Sequence, residues 1–101
     1  MGISYDPEFS DVLGDAFVGG SLSVTATAVE AKVGASRLER REFLVIHNSS
    51  NSTVYYGPAG VTTTTGIPLL KDQTVGLPVG DIGVFLIATA GTNAVRIQEY
   101  A

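Results

Sequence analysis

An all-β fold is what this sequence predicts. The expected form is a single-domain β-sandwich or jelly-roll-like barrel of seven to eight short antiparallel strands, preceded by an extended N-terminal arm. Three observations predict it. Beyond residue 20 no stretch repeats its apolar residues at helical spacing. Short apolar or alternating runs recur instead, rich in Val, Ile, Thr, Phe and Tyr. Gly, Pro, Asn and Asp punctuate those runs at close intervals. The 101 residues suffice for one domain with one core. The chain divides into an arm, residues 1–20, and a sandwich, residues 21–101.

The arm is acidic. Asp6, Glu8, Asp11 and Asp15 lie in it with no Lys or Arg among the first fifteen residues. The ten acids of the chain less these four leave six, against six Lys and Arg. The whole formal charge of −4 therefore sits in the first fifteen residues. Phe9, Val12, Leu13, Ala16 and Phe17 would share one face of a short helix, ended by Gly19-Gly20. In Ser21 to Val33, Leu22, Val24, Ala26 and Ala28 alternate with hydroxyl residues, which predicts a half-buried strand. The register slips at Val29-Glu30-Ala31, and a bulge or a turn would explain the slip. Arg37 to Glu42 is a dense charge cluster whose charges nearly cancel. It reads as a solvated turn with weak local ion pairs, or as a patch that meets a partner.

The organising stretch is Phe43 to Tyr56. Phe43-Leu44-Val45-Ile46 is apolar on both faces, so a central strand covered on both sides is expected. Asn48 to Ser52 is all Asn and Ser, residues that hydrogen-bond their own backbone in turns. Val54-Tyr55-Tyr56 resumes the strand, which predicts a β-hairpin. Val61 to Thr65 is β-branched with almost no apolar face and fits an edge strand or an extended loop. Pro68 excludes a central position for the strand that contains it. Lys71-Asp72 and Gly80-Asp81 read as turns, with a short strand between them from Gln73 to Val79, interrupted by Gly76 and Pro78. Gly83 to Ala90 is a second strong strand. Gly91-Thr92-Asn93 should turn it back as a hairpin into Ala94 to Tyr100.

Chemistry is sparse. There is no Cys, so neither a disulfide framework nor a thiolate metal site is expected. His47 is the only histidine and reads as a hydrogen-bonded structural residue, since zinc sites take several ligands. No Ser stands in a nucleophile-elbow context, and no glycine pair carries a phosphate-loop Lys. The arm carboxylates do not match a calcium-loop spacing. No enzyme, metal or cofactor is expected. Neither nucleic acid nor membrane is expected as a partner, because no basic surface, secretory leader or long apolar run is present. Asn48-Ser49-Ser50 and Asn51-Ser52-Thr53 match the glycosylation sequon, but the turn explains them better. Charged residues make up 16% of the chain, below the roughly 25% of soluble domains, which suggests surface covered by copies or partners. Tyr55 and Tyr56 point to opposite faces, so one of them should be exposed. An exposed Tyr55, Tyr56 or Tyr100 could stack on a sugar.

Arg41-x-Phe43-Leu44-Val45-Ile46-x-Asn48-x-Ser50, Val54-Tyr55-Tyr56-Gly57, Thr65-Gly66-Ile67-Pro68-Leu69 and Val95-Arg96-Ile97-Gln98-Glu99 together resemble small accessory virion proteins of tailed bacteriophages. The resemblance covers residues 37–101. It implies a β-sandwich on a phage particle, as a head decoration protein, head-fibre base or tail accessory, and it brings no functional residues with it. The expected localisation is the virion surface, after synthesis in the host cytoplasm. The expected partners are the major capsid protein or another virion protein, and copies of the chain itself in a closed ring, with a trimer favoured. Candidate contact residues are Tyr5, Phe9, Leu13 and Phe17 in the arm, with Arg37, Arg40 and Arg41 in the charge cluster. The alternative is a carbohydrate-binding sandwich.

Overall fold

Eight strands follow one another through residues 17–101, which are the residues the computed structural model describes. They are β1 (Phe17–Val24), β2 (Val29–Glu30), β3 (Phe43–Asn48), β4 (Val54–Gly57), β5 (Ile67–Leu69), β6 (Thr74–Pro78), β7 (Phe85–Ile87) and β8 (Asn93–Tyr100). One sheet has the order β1-β8-β3-β6 and the other β2-β7-β4-β5, and every pairing is antiparallel. First pairs with last, second with seventh, third with sixth and fourth with fifth. That nested order is the jelly roll: one long hairpin wrapped into two facing sheets.

The core lies between the sheets. Val24, Leu44, Ile46, Val54, Leu86, Val95 and Ile97 are buried there. Each contributes about 1.5–3 kcal/mol by leaving water. Alternation decides which residues enter the core. In β8, Asn93, Val95, Ile97 and Glu99 are buried, while Ala94, Arg96 and Gln98 face solvent.

Both expected hairpins are corrected. β3 and β4 lie in different sheets, as do β7 and β8. The Asn-Ser segment and Gly91-Thr92 are corners that carry the chain across the sandwich. Buried amides hold these corners. Asn48 Nδ2 donates to Ser52 O at 2.7 Å and to Leu69 O at 2.8 Å. Asn93 Nδ2 donates to Val24 O and to Ala90 O, each at 3.0 Å. The Asn48 amide ties β3 to edge strand β5 of the other sheet, whereas the Asn93 amide ties the start of β8 to the end of its sheet neighbour β1 and to the corner that precedes it.

Other expectations resolve in the same way. β3 is central in its sheet, but only Leu44, Ile46 and Asn48 are buried, and its other face is an outer surface. The strand expected from Ser21 to Val33 is broken before the expected slip: a bend at Ala26-Thr27 moves the chain between sheets, and Val29-Glu30 is a strand of the second sheet. Thr62 to Thr65 is a tight turn and not a strand. Thr62 N donates to Thr65 Oγ1, Thr65 N donates to Thr62 Oγ1, and Gly66 N donates to Thr62 O. These hydroxyls outcompete a ladder for the backbone. β5, with Pro68, is an edge strand as expected, and β6, with Pro78, is another. Phe17 to Gly20 belong to β1, so Phe17 lies on a strand and not on a helix that ends at Gly19-Gly20. The remainder of that expected helix, and Tyr5, Phe9 and Leu13 with it, lie outside the described residues.

Candidate functional site

The outer face of the β1-β8-β3-β6 sheet is organised in rows. Register places Phe17 beside Tyr100, Tyr100 beside Phe43, and Phe43 beside Pro78. All four side chains share one face, because directly paired residues do. The Phe17 and Tyr100 rings are stacked, with centroids 4.6 Å apart and planes 13° from parallel. Phe43 meets Tyr100 from the far side at 70°, with centroids 6.2 Å apart. The Phe43 ring leans over Gly76, where any Cβ would stand 3.0 Å from ring carbons. Phe17 remains 58% exposed and Phe43 39%. The next row is Gly19, Gln98, Val45 and Gly76, and the third is Ser21, Arg96, His47 and Thr74. The face therefore runs from aromatic to small to polar along the strands. His47 Nδ1 lies 2.7 Å from Thr74 Oγ1, consistent with the structural role expected of it.

Beneath the aromatic row, the same end of the sandwich is closed by a buried ion pair. Arg41 Nη1 lies 2.7 Å from Glu99 Oε2, and the two side chains are 1% and 0% exposed. Arg41 also donates from Nη1 to Ala31 O at 2.8 Å and from Nη2 to Ile82 O at 3.1 Å. Glu99 accepts from Val33 N at 3.1 Å and from Leu38 N at 3.4 Å. Two loops, before β3 and before β7, are thereby pinned to the end of β8. Arg41 Nε is buried without a partner, which lowers the net gain from the pair.

The candidate contact residues thus separate. Arg41 is internal and is not part of a partner-facing patch. Arg37 is at the surface, but its Nε pairs with Glu30 Oε2 at 2.7 Å and its Nη1 donates to Asp81 O at 2.6 Å. Arg40 is exposed at a left-handed turn, φ 56°. Phe17 stacks on Tyr100, in the row that Phe43 continues. The aromatic row was legible only in part. The signal was a period of two in three strands, but their adjacency is a property of topology. Tyr55 and Tyr56 are both half-buried, with Tyr56 packed against the core.

A second apolar feature opens between β6 and the β4-β7 pair. It is a groove of about 310 Å³ lined by Tyr56, Leu77, Val79 and Val84, with the exposed Ile82 at its rim. Among the described residues no group of three or more His, Asp or Glu is placed to hold a metal ion. Among them, too, no helix is long and apolar enough to cross a membrane. No family model matches the chain, and no curated protein matches it.

Proposed function

We propose that this chain is a non-enzymatic structural protein of a tailed-bacteriophage particle, bound to the assembled head as a decoration protein. The observation that carries the proposal is an exposed aromatic row on a jelly roll. The nested strand order is one that viral capsid domains and lectins use. The row offers a contact surface anchored on a buried, ion-paired scaffold. Aromatic anchors of this kind dominate protein interfaces. The partner is the major capsid protein or another virion protein. Residues 17–101 hold equal numbers of acidic and basic groups, which speaks against phosphate-driven nucleic-acid binding.

Lectins share the strand order, so sugar binding is the second reading. The row favours it less. Of the tyrosines expected to take a sugar, Tyr100 has one ring face covered by the stacked Phe17 and Phe43 set edgewise against it, and Tyr55 and Tyr56 are half-buried. Co-sedimentation with phage particles that lack the protein separates the readings. The wild-type chain should saturate the particles at a fixed stoichiometry. Phe17→Ala with Phe43→Ala should weaken binding at least tenfold, about 1.4 kcal/mol or more. Failure to bind particles, with glycan binding that is lost in Tyr100→Ala, would establish the sugar reading instead.

A further inference from the structure

Each sheet has two edges, and three of these four edges are blunted. β2 has two residues, one of them Glu30. β5 has three residues and contains Pro68. β6 contains Pro78. Short strands, charges and prolines are the usual protection against edge-to-edge pairing. β1 carries none of them. It is eight residues long, Phe-Val-Gly-Gly-Ser-Leu-Ser-Val, without a charge or a proline. Among the described residues it pairs only with β8.

We propose that β1 pairs antiparallel with β1 of a second copy of this chain. The two sheets then join into one of eight strands. The edge is self-complementary, which selects a second copy as its occupant. An antiparallel pair about a two-fold axis must keep outer-face residues opposite outer-face residues, which fixes the parity of the register. Centring on Gly20 satisfies it. Val18 and Leu22, both half-buried in the single chain, then face Leu22 and Val18 of the second copy on the inner side. Phe17 faces Ser23 of the second copy on the outer side, where its free ring face is covered. Gly19 and Ser21 leave room for close approach. No charge lies in either strand, so self-pairing brings no like charges together. On the outer face the nearest charge is Arg96, on β8, while Glu99 on the inner face is buried in its pair with Arg41. The two copies of Arg96 stand three strand spacings apart, roughly 14 Å, beyond the screening length of about 10 Å. The pairing is isologous, so it closes at two copies, and Pro78 blunts both ends of the joined sheet. This edge therefore gives a dimer in place of the trimer that the resemblance to phage virion proteins implies.

Sedimentation velocity on the full-length protein tests the proposal. Wild type should sediment at twice the chain mass. Ser21→Lys places a cation on the outer face of each β1, diagonal to its copy and roughly 8 Å away. It should halve the sedimenting mass. Leu70→Lys, on the loop between β5 and β6, should leave the dimer intact. A wild-type monomer, a trimer, or a Ser21→Lys protein that assembles as wild type does would overturn the proposal. If Ser21→Lys fails to fold, hydrogen exchange on wild type decides. The β1 amides should lose protection on dilution through the dimer–monomer transition, and protection independent of concentration overturns the pairing.

Discussion

At the scale of single residues, the molecule depends on a few buried polar groups that close its two ends. Arg41 and Glu99 close one, and Asn48 and Asn93 close the other. Glu99→Gln keeps one of the two acceptor oxygens used by Val33 N and Leu38 N, turns an NH2 donor toward the remaining donors, and leaves the Arg41 charge uncompensated. It should cost about 3–5 kcal/mol in urea denaturation. A loss below 1 kcal/mol would mean that the pair is solvated and not internal. Asn93→Ala removes two hydrogen bonds and leaves Val24 O and Ala90 O unpaired, at about 1–3 kcal/mol. Asn93→Asp keeps the shape but turns an acceptor-only group toward two carbonyls, so it should be worse than Ala in the same titration. The sequence showed part of this. Asn48 reads as a turn residue, and its Oδ1 does accept from Ser50 N at 3.0 Å. Its bond to Leu69 O spans 21 positions and leaves no local trace. Glu99 shares a face with Val95 and Ile97, and an acid on an apolar face requires an internal cation. That was the available signal for Arg41, which the surrounding charges concealed.

At the scale of elements, period-two alternation and apolar runs locate strands well, because they report local geometry. They do not report which strand lies alongside. The segments after β3 and β7 have the length and composition of hairpin turns, yet each crosses between sheets. Loop composition is common to both uses, and the choice rests on which distant strands pair alongside. The threonine run shows the opposite failure. β-branched propensity favours extension there, but reciprocal hydroxyl–backbone bonds form a turn. That turn is packed tightly against β4. A Cβ at Gly66 would stand 2.8 Å from Tyr55 Cβ and 3.1 Å from Thr62 O. Gly66→Ala should therefore lower stability by about 1–3 kcal/mol and shift the thermal midpoint down. An unchanged midpoint would show that the β4–β5 connection relaxes freely.

At the scale of the whole molecule, the jelly roll presents one outer face graded from aromatic to polar and, among the described residues, one long edge without protection. The strand β1 links them, since Phe17 begins the aromatic row and β1 is the edge. This sets where a truncation can be made. Removing residues 1–20 deletes half of β1 and with it the partner of Tyr100, so it should unfold part of the sheet. Removing residues 1–15 should leave the fold intact by circular dichroism. On the virion reading, loss of particle binding in that shorter truncation would assign contacts to the acidic segment. Retained binding would assign them to the aromatic row. The proposed place on a phage particle is tested most directly by antibody-gold labelling of intact particles from the chain's source. Regular labelling over the heads is expected. Unlabelled particles, with no such chain in their denatured protein content, would contradict it.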